Sequence, residues 1–170
     1  DGNRYFDVFV DYAKATAEDL LIRIRVVNRG ADEAELNLIP TLWLRNLWDW
    51  GYKEDWRQRE PIRLQDDCIE TPDVHGVGTY QLACREQGTW LFTENETNTE
   101  RLYQQPNAQP YVKDAFHRYV VNGEQTAVNP VQEGTKAGLL LQQRIAGGAE
   151  WVVDLRLARE LPADPFDGSF

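Results

Sequence analysis

Methionine is absent from all 170 residues, and the chain opens Asp1-Gly2-Asn3 with neither an initiator nor a secretory leader. It closes on a stretch rich in Pro, Gly and Asp, residues 162–170, of the kind that joins domains. Both ends therefore read as cuts within a longer polypeptide. Basic residues are scarce, with 18 Lys and Arg against 28 Asp and Glu, and the formal charge is -10. Such a surface repels a phosphate backbone, so nucleic acid is excluded as a partner. No apolar run approaches the roughly 20 residues that span a bilayer, and no basic amphipathic stretch suits a membrane surface. Cysteine is limited to Cys68 and Cys84, too few for a disulfide framework and not in a CxxC pair. They are expected to be buried or half-buried thiols in a reducing, cytoplasmic compartment. His75 and His117 are too few and too isolated for a metal centre or a triad. The sequence contains no GxSxG, P-loop or GxGxxG, which removes the common serine-hydrolase and nucleotide classes. No metal and no cofactor is expected.

What is present is apolar surface, 42% of residues, with six Trp, seven Tyr and six Phe. That is enough to offset the ordering entropy of one domain, expected over residues 1–160 with a linker beginning at 161–170. The strongest period is two. Leu20, Ile22, Ile24 and Val26 make one aliphatic face while Arg23 and Arg25 lie on the other, the pattern of a half-buried strand. Leu36, Leu38, Leu42 and Leu44 continue the alternation, and Pro40 within it predicts an edge position or a bulge. Further strands are predicted over residues 5–12, 79–84, 89–93, 117–121, 136–145 and 151–157. The last two are joined by Ala146-Gly147-Gly148-Ala149 as an expected hairpin. A short helix is expected at residues 15–20. Strands at these intervals predict an all-β antiparallel sandwich. Two stretches, from 48 to about 67 and from 94 to about 116, read as long loops, where partners are to be sought.

Trp43, Trp48, Trp50, Tyr52 and Trp56 suit stacking on a pyranose ring, but large aromatics also dominate cores and interfaces. Glu94, Asn95, Glu96, Asn98 and Glu100 crowd carboxylates and amides together without metal-ligand spacing. Asn95-Glu96-Thr97 also matches the glycosylation pattern. Glycoside hydrolysis needs two carboxyl groups roughly 5 to 10 Å apart, one with a raised pKa, and no pair is singled out among 28 acidic residues. For hydrogen bonding or stacking against a neutral polyol, or for packing between domains, the candidates are Trp48, Trp50, Glu94, Asn95, Asn98 and Tyr111.

The runs RYFDVFVDYAKATAEDLLIRIRVVNRG, LIPTLWLRNLWDWG, LFTENETNTERL, PYVKDAFHRYVVNG and AVNPVQEGTKAG resemble, in order, the N-terminal region of bacterial glycoside hydrolase family 63 proteins, glucosidase- or mannosylglycerate-hydrolase-like. The resemblance runs from Arg4 to about Leu157. It implies a supersandwich-like domain packed on a catalytic (α/α) toroid, in an enzyme that hydrolyses an α-glucosidic or related bond with inversion. The catalytic acid and base would lie on the toroid, so no catalytic residue is carried onto this chain. The expected partners are that toroid and, through it, a carbohydrate. A free-standing carbohydrate-binding module, a structural interaction domain and self-association of the isolated chain stay open.

Overall fold

The computed structural model describes residues 4–48, 59–74 and 76–167. Strand β1 (Phe6–Thr16) turns at Ala17 and Glu18 into β2 (Asp19–Asn28), with Val8 opposite Val26, Val10 opposite Ile24 and Tyr12 opposite Ile22. The helix expected at residues 15–20 is therefore two strand ends and a turn. The alternation of β2 outweighs the local helix preference of Ala15 and Ala17, because it puts Ile24 and Val26 inside. The chain continues through β3 (Ala34–Leu38), β4 (Thr41–Trp43), β5 (Ile62–Gln65), β6 (Cys68–Thr71), β7 (Tyr80–Cys84) and β8 (Thr89–Thr93). Helices α1 (Thr99–Tyr103) and α2 (Ala115–Asn122) follow, then a 3-10 turn at Gln125–Ala127, and finally β9 (Glu133–Gly134), β10 (Lys136–Ile145) and β11 (Glu150–Ala158).

The strands form two antiparallel sheets. One has seven strands in the order β1-β2-β11-β7-β6-β5-β9; in the other, β10 lies between β8 on one side and β3 followed by β4 on the other. The all-β sandwich is thus the architecture. Its core joins Ile24, Val26, Ile69, Leu82, Val153 and Leu155 of the large sheet to Phe92, Leu139 and Leu141 of the small one. Pro40 falls between β3 and β4 on the small sheet's edge, where its missing N–H costs no ladder bond, and its carbonyl accepts from Leu139 N at 3.1 Å. On the outer face of the large sheet, Arg23 grips its cross-strand neighbour Asp154 at 2.7 and 3.0 Å. Asp154 is 5% exposed, so this bidentate pair is a partly buried one and worth more than an open surface bridge.

The Ala146–Ala149 segment is not a hairpin. β10 and β11 belong to different sheets, so the turn carries the chain across the core, and the 29–33 turn from β2 to β3 does the same beside it. Alternation gives two strands but does not say which neighbours they choose. The crossings are clamped together: Asn28 Nδ2 donates to Ile145 O at 2.9 Å, Gly148 N donates to Asn28 O at 2.9 Å, and a Cβ on Gly147 would sit 2.1 Å from Ala31 O. β3 thereby stacks over β2, as β10 stacks over β11.

The strand expected at 117–121 is a helix. Ala115, Phe116, Tyr119 and Val120 fall on one side at helical spacing and pack on Leu91 and Leu140, covering the outer face of the small sheet. With both faces covered, residues 137–141 of β10 are all buried, which is why that run is continuously apolar rather than alternating. β5 and α1 lie inside the two stretches read as loops, and β6 follows directly after the first. Residues 164–166 fold back on the large sheet, where Arg156 Nη1 and Arg85 Nη2 donate to Pro165 O and Phe166 O at 3.0 and 2.9 Å. Among the described residues, no helix is long and apolar enough to cross a membrane.

Both thiols are free and partly buried. Burial pushes Cys84 up to about 12, and burial beside Asp66 and Glu70 raises Cys68. Because the thiolate is the nucleophile, iodoacetamide at pH 8 is expected to alkylate Cys68 at least about tenfold faster than Cys84. Peptide mass spectrometry over a time course checks it, and equal rates would contradict the burial of Cys84.

Candidate functional site

The segment that follows β8, residues 94–98, runs along the end of the small sheet and gathers side chains from distant parts of the chain. Glu94 accepts from the Thr135 hydroxyl at 2.6 Å and backbone N at 3.3 Å, while the same hydroxyl accepts from Asn95 N at 2.8 Å. Arg59 Nη2 stands between two carboxylates, in ion pairs 3.1 Å from Glu94 Oε2 and 2.9 Å from Glu96 Oε1. Trp48 Nε1 donates to Glu96 Oε1 at 3.1 Å, and the Arg59 guanidinium lies 5.7 Å from the Trp48 ring centroid. Glu96 is 6% exposed, and these partners offset the cost of burying its carboxylate. Thr93 Oγ1, just before the segment, is buried with no hydrogen-bond partner among the described residues.

Asn95 is committed to structure. Its Nδ2, the atom a glycan would take, donates to Leu44 O at 2.9 Å, and its carbonyl accepts from Asn46. Asn98 is 9% exposed and caps α1 by accepting from Arg101 N at 3.0 Å. Its Nδ2 donates to both oxygens of Asp114 at 3.2 Å, and its Oδ1 also accepts from Asn107 at 3.1 Å. Asp114 further takes Arg101 Nη1 at 3.2 Å, which ties α1 to the start of α2. Tyr111 is half-buried, and its backbone carbonyl accepts from Glu94 N at 2.7 Å.

Beyond this network opens a broad groove of about 1740 Å³ between α1 and α2. Its wall includes the bonded Asn98 and Asp114, together with Gln104, Gln105, Gln109 and His117, whose side chains make no hydrogen bond among the described residues. These amides and the imidazole offer donors and acceptors at once, the mixture that recognises hydroxyl-rich neutral ligands.

Of the six candidates, the structure brings Trp48, Glu94 and Asn95 into one bonded network, with Tyr111 joining through its backbone, while Asn98 anchors a neighbouring cluster with Asp114, Asn107 and Arg101. Trp50 lies outside the described residues, as do Tyr52 and Trp56 of the aromatic cluster and His75. Trp43 stands apart from Trp48: it is 57% exposed and lines a separate apolar pocket of about 480 Å³ with Leu20, Leu42, Val77 and Leu157. Arg59, Thr135 and Asn107 complete the site. No local pattern marked them, because each acts on a residue far along the chain or on the opposite side of a loop.

No family model matches the chain. It is 28% identical over 170 aligned positions to an uncharacterized protein of Saccharomyces cerevisiae, YMR196W, in a match that takes in 79% of this chain. The match covers 15% of the yeast protein's length.

Proposed function

We propose that the chain is a non-catalytic, cytoplasmic β-sandwich domain of a glycoside hydrolase family 63-like enzyme, docking by its groove end on an (α/α) toroid and helping to shape that toroid's sugar site. The observation that carries this reading is the division of labour between the bonded network of residues 94–98 and the groove that opens beyond it. Glu94, Glu96 and Asp114 are held by Arg59, Thr135, Trp48, Asn98 and Arg101 of the same domain, so their acceptor positions serve to fix shape. A general acid needs a free proton facing the glycosidic oxygen, and a water-activating base needs an open lone pair. Along the groove wall the open hydrogen-bonding capacity is carried mainly by the amides of Gln104, Gln105 and Gln109, which orient hydroxyls without exchanging protons, with the His117 imidazole and the Glu100 carboxylate beside them. That the yeast match is a small part of a far longer protein agrees with a supporting domain.

Two measurements test the reading. The 170-residue chain alone is expected to give no turnover of p-nitrophenyl α-glucoside, and saturable turnover would overturn it. In the full-length polypeptide, replacing Gln104 and Gln109 together by Ala is expected to raise KM about 10-fold, the loss of one or two hydrogen bonds to substrate. Unchanged kinetics would leave the groove a purely structural surface. If the chain were instead a free-standing sugar-binding module, maltose-type oligosaccharides would quench its tryptophan fluorescence saturably, and Trp48→Ala would abolish that signal.

A further inference from the structure

The two sheets differ in width. Among the described residues, seven strands face a layer three strands wide, and the layers are held in register by the paired crossings that set β3 over β2 and β10 over β11. By the same register, the position over β1 belongs to a strand lying beyond β3, and among the described residues there is none. The side chains record the gap. Phe6, Val8, Val10 and Tyr12 point to the core side of the large sheet, since they pair with Asn28, Val26, Ile24 and Ile22. Of these four only Phe6 packs against the core, while Val8, Val10 and Tyr12 are 51%, 43% and 67% exposed. An inward-facing row of that size left in water is the mark of a surface meant to be covered.

The geometry points to an extra β-strand that pairs with the open edge of β3, lies across Val8, Val10 and Tyr12, and is supplied by polypeptide outside residues 1–170. Three features identify this occupant. The open edge of β3 offers unpaired N–H and C=O groups, which select an extended backbone rather than a helix or a small molecule. The exposed row is continuous with the existing core, so alternate apolar side chains on the new strand extend one hydrophobic layer. A second copy of this chain is disfavoured by a charge of -10 on each, whereas the yeast relative carries most of its length outside the match. The inference shares no residue with the groove and stands apart from the proposed function.

The test appends to the chain's N-terminus, through a flexible Gly-Ser linker, a ten-residue probe in which Val and Ile alternate with Thr and Lys. The control has the same composition with its apolar residues clustered. Tethering keeps the local concentration near the millimolar range, so that a weak strand still binds. With the alternating probe, exchange of β3 amides is expected to slow at least about tenfold and the thermal midpoint to rise on the order of 5 °C. Val10→Lys or Val8→Lys should cancel both effects while leaving the circular dichroism of the untethered chain unchanged. Equal effects from the clustered control, protection confined to other strands, or no change would overturn the inference. So would sedimentation showing that the unmodified chain already closes this face as a dimer dissociated by Val10→Lys.

Discussion

Phe92→Ala is expected to lower the free energy of unfolding by about 3–5 kcal/mol, the range for truncating a fully buried aromatic side chain. Phe92 is 0% exposed and sits on β8 among core residues of both sheets, so its loss opens a cavity in the layer that joins them. Backbone contacts hold the strand on each side, with Asn129 N donating to Phe92 O at 2.8 Å and the Leu91 side chain under α2. The cavity therefore has little room to collapse. In a chain of this size the thermal midpoint should fall on the order of 10 °C. Phe92→Leu, which keeps most of the volume, should cost under about 1.5 kcal/mol. Urea unfolding of the three proteins decides it, and superimposable curves for wild type and Phe92→Ala would mean that β8 does not carry the core.

Gly134→Ala is expected to have the next largest effect, about 3 kcal/mol, at the upper end of what overpacking costs. A Cβ built on Gly134 would lie 2.3 Å from the Thr93 carbonyl oxygen and 2.9 Å from its carbon. Both obstacles are backbone, so neither can rotate away. Relief requires β9 to part from β8, and the next residue, Thr135, is the one that holds Glu94 and Asn95. The substitution should thus shift amide resonances of residues 93–96 as well as lower stability. Gly148→Ala provides the contrast. Its site has nothing within 4 Å but a φ of +74°, so it should cost only the conformational penalty of about 1–2 kcal/mol and leave residues 93–96 unmoved. If Gly148→Ala proved the more damaging of the two, close approach at Gly134 would not be what shapes the site.

The strands that alternate were legible because one face of each meets the core while the other carries charged side chains such as Arg23, Arg25, Asp154 and Arg156. Residues 20–27 and 151–157 show it, down to Arg23 on the polar face beside Asp154. Residues 117–121 misled because Tyr119, Val120 and Val121 favour strands as isolated residues, while the decisive signal lay in their spacing from Ala115 and Phe116 and in Gly123, which closes α2 in the left-handed conformation. The 146–149 turn misled for a different reason. Whether two successive strands pair or stack depends on the 29–33 crossing packed against Gly147, over a hundred residues earlier. At the site, the carboxylates and amides of residues 94–98 stood out by density, but their occupation did not. Asn95 looked available to a ligand and is spent on Leu44 and Asn46; Arg59, which neutralises Glu94 and Glu96, carries no local mark at all.

The placement of β11 bears on how the protein is made. This last strand is inserted between β2 and β7, so the centre of the seven-stranded sheet joins residues 19–28 to residues 150–158. At a synthesis rate on the order of 10 residues per second, β1 and β2 wait more than ten seconds on the ribosome for their neighbour, as a two-stranded hairpin whose apolar face is bare. Closure of so long a loop is slow even after release. The nascent chain is accordingly a client for holding chaperones until residue 158 has emerged, and a stop codon before β11 would leave an aggregating product rather than a smaller domain.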